Sequence, residues 1–544
     1  MSGKLTNFDD LLNQLGTGKW NILYFITTSV WFGFIPPQVL SGAYLTPPLN
    51  ATCIPPTNTN VTHVAKDSCS YQYVTSEGTV MKEPCTQWDF DTSVYSSSIT
   101  SDFGLVCGKE YLRATYTSLF MMGNFISPPI GGYLADRFGR WVVVVVTLAV
   151  FTAGGIIVSF LHNLPLILFI RFVMGTANLA TLYILAMEVC ETRLRAVVGI
   201  VTALPWALGT MAWGGIAYLC SDWRTLQLVV SLPNLLLFPA LWLMDESPRW
   251  LIVKGQHDKA LKVLHKAARW NKVTLPPETQ LRTLMNDIRQ EATRVEARDK
   301  TKTETNEGTK KCCSRLSFTP DLCRSGVRRS IIIMAIDFLV ASMVFYGLNL
   351  NGSNLSTDPY LYMVLGGAME IPAYTLTAPI LNRFGRKIPT VIGYIISGVS
   401  ILALAFIPMD LTWAVMTLAM IGKMCISAVY QTLYVYLTEL MPTEVRIQGM
   451  GLVKVTSRIG SMTSPFITDF MGQMSSWLPS LVFGGVSMVA GVATLWARET
   501  RKTPLPDTIS SLQQRRDNNN SNDRLAEEGS QGQEAEELKN ACKA

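Results

Sequence analysis

Apolar residues run along this chain in stretches of about 20, separated by short polar breaks, rather than in the one-sided stripes of helices lying on a soluble core. Such stretches begin near Ile22, Tyr111, Trp141, Leu164, Arg195, Trp223, Ile331, Tyr360, Ile388, Leu411, Arg446 and Ser476. At about 1.5 Å per residue, each can cross a hydrocarbon core roughly 30 Å thick. The pattern predicts an all-α membrane protein with twelve transmembrane helices. Around Thr375 to Pro379, periodicity does not distinguish one kinked span from two short helices. Asp9, Asp10 and a polar lead precede the first apolar run, and no small-residue cleavage site follows it, so the first span is expected to be retained.

The pattern also repeats. Asp136-Arg137-Phe138-Gly139-Arg140 after the second span recurs as Asn382-Arg383-Phe384-Gly385-Arg386 after the eighth, an offset of 246. Glu188 lies seven residues before Arg195 and Glu439 seven before Arg446, an offset of 251, and Glu246 and Glu499 follow the sixth and twelfth spans, an offset of 253. A duplicated six-span unit follows, with halves at 22–244 and 331–497 and a charged segment, 245–330, between them. An even number of spans makes the copies parallel, related by an axis along the membrane normal, with a binding site expected near midplane between them. The termini, 1–21 and 498–544, then share one side, and the polar tail is expected to be disordered.

Charge sets the orientation. Residues 45–110 hold only Lys66, Lys82 and Lys109 as cations against Asp67, Glu77, Glu83, Asp89, Asp91, Asp102 and Glu110, whereas 249–330 are rich in Lys and Arg. The positive-inside rule puts the first segment outside and the second, with both termini, in the cytoplasm. This also explains the net charge of +6 without nucleic acid. Cys53, Cys69, Cys85 and Cys107 cluster in the outer segment, where two disulfides are permitted and three pairings are open. Asn50 and Asn60 head glycosylation sequons there. In the central segment HDKALKVLHKAARWN reads as helix, and Cys312 and Cys313 beside Lys310 and Lys311 read as a reduced pair in preference to an acylation site. No Walker loop, HExxH or metal-ligand cluster occurs, so neither an enzyme nor a cofactor is expected. A receptor or channel is the competing class, and duplication with matched polar ends favours alternating access.

Several charges fall at membrane depth. With Arg446 at the cytoplasmic end of its span, Lys454 lies about 12 Å and Arg458 about 18 Å inside. An ion there costs about 3 kcal/mol on insertion scales, so each is expected to face a wet cavity or a partner. Four residues apart, the two share one helix face. Glu370, ten residues into its span, is the candidate compensating anion; Lys423 lies nearer the outside, and Asp337 and Arg171 have no assignable partner. The plain alternative for Arg458 is a fixed ion pair. The sharper reading is that its planar fork of donors takes a substrate carboxylate. Lys454 could instead point into a cytoplasmic vestibule and bias the potential.

GYLADRFGR (132–140), CTQWDFDTSVYSSSITSDFGLVC (85–107), DESPRWL (245–251), YGLNL (346–350), EIPAY (370–374) and TELMPTEVR (438–446) together resemble solute carrier family 22 of the major facilitator superfamily, the organic cation, zwitterion and anion transporters. The likeness runs from about Phe8 to Pro506. It implies a plasma-membrane carrier for a small organic ion, with coupling to sodium or protons left open. It also implies that Asp136, Arg137, Arg140, Glu188, Arg195, Arg383, Arg386, Glu439 and Arg446 form cytoplasmic gates holding the halves closed on the inside; for Arg137 and Arg386 simple anchoring would suffice.

Cation-specialised members of that family carry aspartate at the position matching Arg458, whereas anion and carnitine-type members carry arginine in a similar SRxGSxxSP run. The glutamate of EIPAY resembles the cation and zwitterion members, and Lys454 departs from the usual small residue. Arg458 with Glu370 therefore implies a substrate of the carnitine, betaine or amino-acid-derivative kind, with an organic anion second. By the same resemblance Trp206, Phe345, Tyr346, Tyr430 and Tyr434 line the substrate path, where rings hold an ammonium by cation–π contact worth about 2 kcal/mol when desolvated. Gln431 and Asn178 stand at similar positions; for any single ring, helix or lipid packing is the plain alternative.

Overall fold

A computed structural model describes residues 8–54, 61–64, 69–74, 79–177, 180–191, 193–305, 325–356, 358–408, 410–441 and 446–501. Asn60, Asn178, Cys312, Cys313 and the tail beyond Arg501 lie outside them.

The expected spans appear, among the described residues, as α1 (Lys19–Val39), α2 (Tyr111–Phe138), α3 (Arg140–Phe160), α4 (Leu164–Thr176, continued by Ala180–Glu188), α5 (Leu204–Leu219, preceded by Arg195–Val201) and α6 (Trp223–Ser231, continued to Leu243). The second set is α7 (Ser325–Leu350), α8 (Pro359–Phe384), α9 (Lys387–Leu404), α10 (Thr412–Leu440), α11 (Arg446–Phe466) and α12 (Leu478–Thr494). Eight of the segments are long and apolar enough to cross a membrane on composition alone. The others are short, broken or polar: α12 has 17 residues, and α11 carries Lys454 and Arg458. Val142–Val146 would favour a strand in water, but in lipid a lone segment must satisfy its backbone internally, and α3 is helical throughout. The stretch around Thr375 lies within one unbroken helix, α8, despite Pro372 and Pro379. Starts are capped where the sequence offers an acceptor: Asp358 takes the amides of Tyr360 and Leu361, and Asp222 that of Thr225.

The halves meet along two seams, α2 against α11 and α5 against α8. The duplication exchanges these pairs, because span 2 corresponds to span 8 and span 5 to span 11. The N-terminal half has one large core, which also takes in Phe345, Tyr346 and Met363 of the second half, and the second half has a further core of its own. The N-terminal one continues into helices Pro248–Val253, His257–Asn271 and Glu278–Thr305, where Leu251, Leu264 and Leu281 are buried together with Phe8, Leu11, Leu12 and Leu15 of a short unanticipated helix, Phe8–Leu15.

Among the described residues of the segment 45–110 are five short strands that the hydropathy pattern does not announce. Strand β1 (Ala51–Cys53) pairs with β5 (Trp88–Phe90), while β2 (Val61–Val64), β3 (Ser70–Val74) and β4 (Val80–Pro84) form an antiparallel sheet. Of the three pairings open in the sequence, the structure has Cys53–Cys85 and Cys69–Cys107. Asn50 is exposed beside β1. The end bearing this segment is the loop end, and the opposite one, from which 245–330 departs, is the linker end.

Candidate functional site

At the linker end the repeated Arg-Phe-Gly-Arg turns are built alike. Gly139 and Gly385 have φ of 106° and 87°, and a Cβ at either would lie 2.2 Å from Glu246 Oε2 or 2.8 Å from Glu499 Cδ. That space lets each carboxylate accept backbone amides at the start of the next helix: Glu246 from Arg140 and Trp141, Glu499 from Arg386 and Lys387. Their charges respond differently. Burial pushes Glu246 above the usual carboxylate range in spite of these amides. Burial also raises Glu499, but the amides of Arg386, Arg501, Lys387 and Thr500 outweigh it and hold the group low.

The gate residues pair differently from the sequence grouping. Glu188 binds Arg140 at 3.4 Å and Glu439 binds Arg386 at 2.7 Å, each inside its own half. Arg195 reaches Asp9 at 2.7 Å instead of Glu188, because the N-terminal helix docks beside it. The side chain of Arg446 lies outside the described residues. Asp136 contacts Arg140 at 2.9 Å but its side chain is 72% exposed, so it does not wedge the halves together. Arg137 and Arg383 lie over Phe138 and Phe384, and Arg386, for which anchoring would have sufficed, is instead paired with Glu439. These pairs each stay inside one half. Among the described residues, polar contacts from half to half lie toward the loop end: Tyr44 to the Pro359 carbonyl, Tyr360 to that of Val94, Ser118 to that of Met462, and Arg113 to Asp469. Tyr44 stacks on Tyr360 there.

Between the halves, α7, α10 and α11 converge on a group of rings. Phe345 stacks on Tyr430 with centroids 5.7 Å apart, and Tyr346 stands edge-on to Phe345 at 5.3 Å. Phe338 meets Tyr434 at 5.2 Å, and the Tyr430 hydroxyl shares a hydrogen bond of 3.1 Å with that of Ser457. Arg458 enters this group beside the phenols of Tyr346, Tyr430 and Tyr434. Among the described residues no carboxylate comes within ion-pair reach of it. Lys454, one turn toward the linker end, is exposed and lies 5.7 Å from the Tyr434 ring, which fits the vestibule reading.

The expected pairing of Glu370 with Lys454 or Arg458 is not found. Glu370 Oε1 lies 3.5 Å from Lys423 Nζ, both side chains are fully buried, and Tyr374 donates to Oε2 at 3.2 Å. Lys423 also donates to Asn349 Oδ1 at 2.6 Å. A Cβ on Gly366 would lie 2.2 Å from Lys423 Nζ, so the bare glycine one turn before Glu370 is what admits the ammonium to α8. Lys423 is consequently withdrawn as a free contact for solute. Trp206 packs near Ala373 and Tyr374 with its indole N–H buried and unpartnered. Gln431 is half-buried on α10.

Sequence reasoning missed Asn349, Tyr374, Phe338 and Ser457. The first two had a signal, since Asn349 falls one turn after Tyr346 and Tyr374 one turn after Glu370. The unassigned Arg171 is held without a carboxylate: it donates to Gln38 Oε1 at 3.0 Å and Ser41 Oγ at 2.7 Å and lies 4.5 Å from the rings of both Tyr116 and Phe120. Asp337 accepts from Thr494 at 3.0 Å.

Comparison with known proteins bears on family and fold. A family model described as sugar (and other) transporter covers residues 59–505. An organic cation transporter protein of Drosophila melanogaster is 31% identical over 465 residues, spanning 83% of this chain and 82% of its own. Solute carrier family 22 member 13 of Homo sapiens is 32% identical, over 79% and 74%, and organic anion transporter 3 of Oryctolagus cuniculus 30% identical, over 79% and 77%. Among solved structures, the inward open xylose transporter XylE from E. coli superposes with a TM-score of 0.61 at 13% identity, over 89% of this chain and 97% of its own, a likeness of fold alone.

Proposed function

The chain belongs to the sugar (and other) transporter family and to its solute carrier family 22 type, and from that membership we propose that it carries small carboxylate-bearing organic solutes, zwitterions first, across the plasma membrane by alternating access. The observation that carries the proposal is Arg458: a half-buried guanidinium set among phenols, with no carboxylate in ion-pair reach among the described residues. A charge withdrawn from water without a counter-ion is costly, and a solute carboxylate offering two coplanar oxygens complements the guanidinium fork. The aromatic faces of Tyr346 and Tyr430 suit an ammonium at the other end of the same solute.

A pure cation fits poorly, because Glu370, the acid expected to hold it, is already neutralised by Lys423. Lys454 and Arg458 leave an excess of positive charge, and this supports an organic anion as the second reading. Relatives of both kinds, one named for organic cations and one for organic anions, match the chain comparably.

The positive-inside rule assigns the loop end to the outside and the linker end, with both termini, to the cytoplasm. On that assignment the state described is closed outside, Asn50 is available for glycosylation, and the Glu188–Arg140 and Glu439–Arg386 pairs shape each half for closure on the inside. Uptake into proteoliposomes, competed in turn by glycine betaine, choline and trimethylacetate, tests the reading: betaine inhibits most, and equal or better inhibition by choline removes Arg458 from the role assigned to it.

A further inference from the structure

Toward the loop end, beside the contacts that join the halves, the structure holds a polar chamber of about 550 Å³. Asp91, Glu110, Arg113, Asn354, Asp469 and Gln473 are among its walls. Arg113, near the start of α2, has a side chain only 2% exposed. The nearest carboxylate oxygen, on Asp469, stands 4.0 Å from its Nε, beyond hydrogen-bond distance. Both Nε and Nη2 of Arg113 are buried without a hydrogen-bond partner.

Unmet buried donors on a cation are among the least tolerated features of a folded protein. Two of them on one planar guanidinium call for an acceptor with two coplanar oxygens, which is a carboxylate. The surroundings narrow the class further. Asp91, Glu110 and Asp469 share the chamber with this single cation, so a simple anion meets a net negative wall and is repelled. A simple cation would leave the guanidinium unsatisfied. Only a molecule carrying both charges answers both requirements.

We infer that this chamber is a second binding site for small zwitterions, in which the ligand carboxylate engages Arg113 Nε and Nη2 in competition with Asp469 while its cationic group faces Asp91 and Glu110. Arg113 comes from α2 and Asp469 from the continuation of α11, so the site spans the seam between the halves. It is separate from the central chamber, since Asp469 lies eleven residues, about 16 Å of helix, beyond Arg458. The inference uses no residue of the transport site and stands or falls apart from it.

The test uses the full chain purified with Arg458→Ala, which disables the central chamber, and measures equilibrium binding of labelled glycine betaine. Betaine binds this variant saturably, trimethylacetate and choline compete at least 10-fold more weakly, and adding Arg113→Gln abolishes binding. Adding Asp469→Asn in place of Arg113→Gln removes the competing carboxylate and tightens betaine binding several-fold, a gain that misfolding does not mimic. Absence of betaine binding to Arg458→Ala protein that is monodisperse, binding that survives Arg113→Gln, competition by trimethylacetate equal to betaine, or no tightening with Asp469→Asn each overturns the assignment.

Discussion

Lys423 and Glu370 face each other from α10 and α8 with Nζ 3.5 Å from Oε1 and neither side chain exposed. The pair is fixed on three sides: Asn349 holds the ammonium, Tyr374 the carboxylate, and Gly366 supplies the gap through which they meet. It therefore organises α7, α8 and α10 around the chamber rather than presenting a charge to solute.

Glu370→Gln leaves Lys423 buried and uncompensated, which costs about 3–5 kcal/mol. A fall in thermal midpoint of the purified carrier and a loss of uptake common to all substrates are expected. Pairing the change with Lys423→Met restores much of the midpoint, since no lone charge remains. A selective loss of ammonium-bearing substrates at unchanged stability would contradict the structural role. Gly366→Ala places a methyl where the ammonium sits and costs about 1–3 kcal/mol by overpacking, read in the same melting assay.

Arg458→Ala removes hydrogen bonds to a charged group, worth about 1.5–3 kcal/mol, or roughly 10- to 100-fold in uptake efficiency. Surface expression should stay near that of the unaltered protein, because no protein carboxylate loses a partner. Arg458→Lys keeps the charge but not the fork, and only partial recovery is expected. Competition assays on the three proteins decide between these outcomes.

The linker-end pairs are partly exposed, with side chains 16–21% accessible, so each is worth about 1 kcal/mol. Glu188→Gln and Glu439→Gln are expected to slow maximal transport several-fold with little change in apparent KM. Arg137→Ala and Arg383→Ala, which remove a contact to a neighbouring ring and, for Arg137, an exposed hydrogen bond to the Tyr133 hydroxyl, should stay within about 2-fold. A shift of KM alone in the glutamate variants would place them in binding instead.

Peptide mapping of the unreduced protein is expected to recover Cys53 linked to Cys85 and Cys69 to Cys107. Cys53→Ser with Cys85→Ser should free no thiol elsewhere, whereas Cys53→Ser alone leaves one more free thiol than the unaltered protein has, detectable by alkylation. A Cys53–Cys69 peptide would refute the loop topology.

The sequence by itself determined an all-α membrane protein with charges set inside its apolar helices, because hydrocarbon admits only continuous helices and penalises every charge along them. His257–Asn271 was legible for a related reason, its apolar positions recurring at helical spacing. Tertiary structure alone decided which opposite charges meet. Depth counted along the helices favoured Arg458 for Glu370 and put Lys423 nearer the outside, yet the pair formed with Lys423 because Gly366 admits its ammonium to α8. Glu188 likewise joined Arg140 while Arg195 turned to Asp9, since the N-terminal helix packs where the sequence shows only a polar lead. Partner choice depends on the rotation of each helix about its axis and on contacts hundreds of residues apart, and neither is written in periodicity along one strand of chain.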